Sequence, residues 1–205
     1  ASIARAKGLE PLAQYIMEQR DAYEVAIETY AEEFISEEEG KEVPDAKAAL
    51  QGASDIIAED VSNDAEIRKN LRAFTMAHGA LTTKAAKDEP SVYENYYDFS
   101  EPVSKIANHR ILAINRGEKE GFLKVSITLP GTEGQAVVCR GALKPTMHVS
   151  AFVRAAAEDA YERLIAPSAE REMRSTLTDR AGESAIANFA LNLKPLLMQR
   201  PVKGF

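Results

Sequence analysis

The sequence predicts a mainly α protein: an irregular multi-helix bundle with one short strand or hairpin near residues 122–140. Three observations carry this expectation. Apolar residues recur at three- and four-residue spacing through most of the 205 positions. Pro, Gly, Ser, Asn and Asp punctuate those stretches where helices start and stop. Only Phe122-Leu123-Lys124-Val125-Ser126-Ile127-Thr128-Leu129 alternates while being rich in β-branched residues.

The elements follow in order. Pro11 suits the first turn of a helix carrying Leu12, Ile16 and Met17 inward. Tyr23, Ala26, Ile27, Tyr30, Ala31 and Phe34 recur at helical spacing up to a break between Ser36 and Gly40. Pro44-Asp45 opens a helix whose inner face is Ala48, Ala49, Ala53, Ile56 and Ile57, small enough for close helix–helix approach. Ser62-Asn63-Asp64 is a capping cluster, with Glu66 placed to suit the helix dipole. The helix behind it is expected to run through Ile67, Leu71, Phe74, Thr75, His78 and Leu81. Residues 87–100 read as a connection with one short helix, anchored by Tyr93, Tyr96, Tyr97 and Phe99. Ser100-Glu101-Pro102 reads as the start of a helix through Val103, Ile106, Ile111, Leu112 and Ile114 that stops at Gly117. After the 122–129 strand, Pro130 to Gly134 is a turn and Val137-Val138-Cys139 a candidate return strand. Helix resumes near Met147 or Ser150, Pro167 marks a break or a new first turn, and a last helix runs from about Ala169 to Met198. Its apolar positions are Met173, Leu177, Ala181, Ala185, Ile186, Phe189, Leu193, Leu196 and Leu197, with Pro195 inside it. No repeat at 20–50 residues supports a regular solenoid.

Composition narrows the function classes. Hydrophobic residues at 45% and charged residues at 28% are an ordinary soluble balance, and the length supports one large or two small domains. Cys139 is the single cysteine, so no disulfide forms within the chain, and a reducing, cytoplasmic compartment is expected. No apolar run reaches the roughly 18 residues that a spanning helix needs, and no signal peptide is visible. The absence of an initiator Met suggests a processed chain or an excised piece. Charge is uneven. Residues 1–60 hold five Lys and Arg against fifteen Asp and Glu, whereas residues 61–205 hold twenty against seventeen. Only the second part suits a phosphate-bearing partner. An acidic helical part over 1–100 and a helical part with a small β element over 101–205 are the expected domains.

Most catalytic signatures are missing. The three histidines, His78, His109 and His148, stand thirty or more residues apart and no HExxH occurs. There is no Walker loop and no GxSxG elbow. Asp55 and Glu59 share a helix face at i, i+4, which would hold Mg²⁺ only if further oxygen ligands converged. No cofactor or metal is expected and no catalytic residue is assigned. The distinctive stretch is 105–121, where Lys105, His109 and Arg116 fall on one side of a helix, with Arg110 beside them and Lys119 one turn on. These cations suit phosphate contacts without base readout, or ion pairs with Glu101, Glu118 or Glu120. The Tyr93–Phe99 aromatics are interleaved with Glu94 and Asp98, so they read as packing anchors rather than base-stacking platforms.

Several motifs in order resemble the Tex family of bacterial transcription accessory proteins. They are Ala4-Arg5-Ala6-Lys7-Gly8-Leu9-Glu10-Pro11-Leu12-Ala13, with Ala6 where Glu is common in the family, and Gly52-Ala53-Ser54-Asp55-Ile56-Ile57-Ala58-Glu59. Tyr97-Asp98-Phe99-Ser100-Glu101-Pro102, His109-Arg110-Ile111-Leu112-Ala113 and Arg116-Gly117-Glu118-Lys119-Glu120-Gly121 follow. Leu164-Ile165-Ala166-Pro167-Ser168 and Glu170-Arg171-Glu172-Met173-Arg174 complete the series, while 130–148 carries no such motif. The resemblance implies that 1–100 corresponds to the end of the family's N-terminal region and 101–205 to its central region. It implies a helical section excised from a longer cytoplasmic nucleic-acid-binding factor in transcription. A helix-turn-helix-like part would precede it; RNase H-like, helix-hairpin-helix and OB-fold RNA-binding modules would follow. A eukaryotic elongation factor with histone-chaperone activity shares a similar core. The expected role is a non-catalytic scaffold positioning those modules, with RNA or DNA bound mainly outside this chain. Transcription machinery is a possible partner, and no membrane is expected. The alternative is a direct, sequence-independent nucleic-acid contact on the basic part around 105–124.

Overall fold

The computed structural model describes residues 1–87, 89–145 and 150–198. The chain divides into two compact units that are interleaved in sequence: 1–74 with 130–169, and 75–129 with 170–205.

The first unit is helical. It contains α1 (Ser2–Ala6), α2 (Glu10–Met17), α3 (Ile27–Glu32), α4 (Ala46–Asn63) and the first turns of α5 (Ala65–His78). It continues with α7 (Glu133–Ala142), α8 (Ser150–Ala160), a π-helical turn (Tyr161–Ile165) and the first residues of α9 (Ala166–Leu197). α4 is central and packs on α1, α2, α3 and α8. The Asp45 carboxylate caps α4 by accepting from the Ala48 N–H at 2.7 Å. Ala49, Ala53, Ile56 and Ile57 are fully buried, as the 3.6-residue period requires. The small face admits Leu9, whose side chain fills the space that a Cβ on Gly52 would take.

The second unit is built on a three-stranded antiparallel sheet in the order β2 (Asp98–Pro102), β1 (Ala80–Ala85), β3 (Leu123–Thr128). β1 pairs Leu81 with Glu101 on one side and with Ile127 on the other. α6 (Asn108–Lys119) covers the inner face of this sheet. Leu81, Leu123, Ile111, Ile114, Tyr93, Val103, Ile106, Met173, Leu177 and Ala181 form one buried cluster.

Several expectations are corrected by this unit. The helix from Ala65 ends at His78, and Leu81 lies in a strand. Gly79 permits the change, because a Cβ there would sit 2.5 Å from the Thr75 carbonyl oxygen and only glycine fits the turn out of the helix. Ser100-Glu101-Pro102 belongs to edge strand β2, where a proline costs no ladder bond, and α6 begins only at Asn108. Gly117 is interior to α6 rather than its stop. The turn falls at Gly121, whose φ of +78° favours glycine. Val137-Val138-Cys139 is helical, in α7, because Gly134, Val137, Val138 and Ala142 bury one helical face. α3 is also shorter than its apolar period suggested, since Tyr23 and Ala26 precede it.

Other expectations hold. Pro11 lies in the first turn of α2, Leu123–Thr128 is a strand, and Pro167 stands in the first turn of α9. Asp64 of the capping cluster is the residue that caps α5, accepting from the Ile67 N–H at 2.9 Å. Tyr93 is buried with its ring 5.9 Å from that of Phe122, and Tyr96 meets Phe99 edge-on at 5.3 Å, so these aromatics do anchor the connection. In α9, Met173, Leu177 and Ala181 are buried, but Ile186, Phe189, Leu196 and Leu197 are exposed. The Met147 start, His148 and residues 199–205 lie outside the described residues.

Two predictions follow from this packing. Ala in place of Gly ordinarily stabilises a helix by about 1 kcal/mol. A Cβ on Gly117 would instead sit 2.7 Å from Leu123 Cδ1 and 3.0 Å from the Tyr93 ring. Gly117→Ala is therefore expected to lower stability by about 1–3 kcal/mol in chemical denaturation. Cys139 is 3% exposed, and burial pushes its thiol above the usual range. A thiol reagent should modify it slowly in the native protein and fully within the dead time in denaturant.

Candidate functional site

α6 is the element on which the sequence concentrated its cations. Its Ile111, Ile114 and Gly117 face is buried, so its polar residues are displayed on the flanks and the outer side. Lys105 lies exposed in the turn before the helix. His109 and Arg116 are exposed two helical turns apart on one stripe, and Lys119 follows Arg116 at i+3. Among the described residues none of these four forms an ion pair. Arg110 is diverted from them. Its Nη1 donates to Glu101 Oε2 at 2.8 Å and its guanidinium carbon lies 5.8 Å from the Phe99 ring centroid. The hydrogen bond to Glu101 holds the guanidinium above its ordinary pKa. Four of the five expected contact residues are thus displayed, and the fifth fastens α6 to β2.

The sequence reading missed a polar ladder between α6 and α9 within the second unit. Both terminal guanidinium nitrogens of Arg174 donate to Glu118, Nη1 at 2.8 Å. Asn115 Nδ2 donates to Thr178 Oγ1 at 2.8 Å. Arg180 donates from Nε to Asn108 Oδ1 at 3.1 Å and from Nη2 to the Ile106 carbonyl at 2.9 Å. The Glu118 hydrogen bond raises the Arg174 pKa against the opposing effect of burial. One turn earlier, Glu170 accepts from the backbone N–H of Ile127 at 3.1 Å, so a carboxylate covers the open edge of β3. The only trace of this ladder in the sequence is the spacing of 170, 174 and 178, which puts three polar groups on one stripe of α9.

In the first unit the acidic pair at i, i+4 is answered by arginines. Arg163 reaches Asp55 at 3.5 Å and also pairs with Asp159. Arg5 pairs with Glu59, and with Asp60 at 2.6 Å. Burial raises the Asp60 carboxyl pKa, with Arg5 opposing that shift. Asp55, Glu59 and Arg163 line a cavity of about 280 Å³ together with Ser62 and Asn63. Among the described residues no group of three His, Cys, Asp or Glu is arranged to hold a metal ion. Nor is any described helix long and apolar enough to cross a membrane.

Comparison with known proteins matches the sequence to one family. A family model described as Tex central region-like matches residues 23–189. The uncharacterized protein YdcI of Bacillus subtilis is 42% identical over 209 residues, covering the whole chain and 28% of YdcI. The transcriptional accessory protein Tex of Neisseria gonorrhoeae is 31% identical over 98% of the chain and 27% of its own length. A protein of Arabidopsis thaliana named transcription elongation factor SPT6-like is 26% identical over 71% of the chain, which is 12% of that protein. The chain spans little more than a quarter of the length of its bacterial relatives. With the ordered motifs and the helical architecture, these similarities show that the chain belongs to the Tex family, matching the Tex central region-like model.

Proposed function

We propose that this chain is a non-catalytic helical scaffold section of a transcription accessory protein, working in the cytoplasm and holding flanking nucleic-acid-binding modules in fixed orientation. The α6–α9 ladder is the observation that supports this most. Three consecutive polar contacts, one of them a two-pronged ion pair, resist sliding of one helix along the other. A helix fastened in this way transmits position rather than performing chemistry. The carboxylates of the first unit that were candidates for a metal site face guanidinium groups instead. The transcription role is drawn from relatives named transcriptional accessory protein and transcription elongation factor.

A second reading is favoured by the exposure of Lys105, His109, Arg116 and Lys119 without ion pairs among the described residues. On that reading α6 touches phosphates directly, and Arg110 serves only to orient the helix.

Arg174→Ala is expected to lower the stability of the chain by about 1 kcal/mol in denaturant titration, since Glu118 loses its partner while its side chain, 36% exposed, regains part of its hydration. In a full-length Tex-family protein carrying this section, Arg174→Ala with Arg180→Ala should reduce affinity for a nucleic acid long enough to engage two modules. The loss should be about tenfold or more, because linked modules gain avidity from a defined spacing. The separated modules should bind as before. Full affinity in a protein whose α6 and α9 amides exchange faster would defeat the scaffold reading. The second reading predicts weaker binding and a shallower salt dependence after Arg116→Ala with Lys119→Ala.

A further inference from the structure

The solvent face of the sheet in the second unit has no role in the functions discussed so far, and its composition is unusual. Leu81, Thr83 and Leu123 are buried on the inner face, so strand alternation puts Thr82, Lys84, Lys124 and Ser126 on the outer one. The register aligns them in rungs. Ser100, Thr82 and Ser126 lie side by side across the three strands, and Asp98, Lys84 and Lys124 form the next rung. The Thr82 and Ser126 hydroxyl oxygens are 2.9 Å apart. Lys84 and Lys124 are directly cross-paired, with Cβ atoms about 5 Å apart in such a rung. Opposed like charges destabilise a sheet. Both side chains are exposed, and neither forms an ion pair among the described residues. Lys87 lies at the same end, its Nζ 5.1 Å from the Phe122 ring centroid.

We propose that this outer face is a contact surface for the phosphodiester backbone of nucleic acid, with Lys84 and Lys124 supplying the charge and the Ser100, Thr82 and Ser126 row a flat polar strip in which Thr82 is held by Ser126 and the Ser100 and Ser126 hydroxyls are left to donate outward. The inference is independent of the scaffold role and concerns the face of the sheet opposite α6. Charge complementarity selects the occupant. The second unit holds thirteen Lys and Arg against eleven Asp and Glu, whereas the first holds twelve against twenty-one. Short hydroxyl side chains let a partner backbone approach closely and donate to phosphate oxygens. The rungs carry no aromatic ring for base stacking and no Arg or amide for bidentate base recognition. Recognition is therefore by backbone and indifferent to sequence. Asp98 flanks Lys84 on the β2 side and confines the attractive region to β1 and β3.

The test uses the whole 205-residue chain, with a short labelled duplex DNA and a single-stranded RNA of equal length, in anisotropy titrations across a salt series. Lys84→Ala with Lys124→Ala should weaken binding, and for the duplex should lower the log–log salt slope by about 1.8, the value for two lost phosphate contacts. Changing the probe sequence should leave affinity unaltered. Lys124→Glu should raise Tm, because it replaces an opposed like-charge pair with an attractive one, and yet weaken binding. That opposition between stability and affinity is not expected of a residue with a purely structural role. No wild-type binding at the lowest salt would overturn the proposal. So would unchanged binding by the Lys84 and Lys124 variants, displacement by poly-glutamate as readily as by nucleic acid, or a loss that follows only Arg116→Ala and Lys119→Ala.

Discussion

Arginine-to-oxygen pairing is the interaction on which both units rely. Arg5 and Arg163 each bridge carboxylates within the first unit, and Arg110, Arg174 and Arg180 fasten α6 within the second. The guanidinium suits this role because it is planar, permanently charged and less strongly hydrated than an ammonium group. Four lysines of the second unit behave differently. Lys84, Lys105, Lys119 and Lys124 remain in water, where a compact, strongly hydrated charge is most stable. The basic residues named here thus separate into a set that joins elements and a set exposed to water. Arg116 is the arginine of α6 that stays with the exposed set.

This separation shapes the functional reading. A cluster of cations counted along the sequence overstates the charge that a ligand would meet, because Arg110 is already engaged by Glu101 and the Phe99 ring. The reverse holds on the sheet. Lys84 and Lys124 are forty residues apart in the chain and unremarkable there, yet antiparallel pairing places them face to face. The acids of the first unit illustrate the same point with opposite sign. Asp55 and Glu59 look like a ligand pair on a bare helix, and each meets an arginine from another element.

Local signals in the sequence were legible wherever the determining residues were neighbours. The Asp45 cap, the buried stripe of α4, the alternating β3 segment and the aromatic anchors follow from spacing and side-chain chemistry. Errors arose where two periods competed. Leu81 continues a helical period behind Phe74 and His78, but Gly79 and the following Thr82-Thr83 favour a strand that completes its bonding only with β2 and β3. Val137-Val138-Cys139 has β-branched character, but the i, i+3, i+4 pattern of Gly134, Val137 and Val138 decides for a helix once one face is buried. Gly117 reads as a helix stop in isolation, whereas its reason lies in Tyr93 and Leu123, which leave no room for a side chain.

The sequence by itself determined the helical class, the family and the scarcity of catalytic motifs, because these rest on periodicity, ordered motifs and composition. Tertiary structure alone decided which cations are engaged, which face of the sheet meets water and which chain segments belong to each compact unit. The physical reason is range. Helical period and capping act within a few residues, whereas an ion pair such as Arg174 with Glu118, or a cross-strand rung such as Lys84 with Lys124, exists only after distant segments have been brought together.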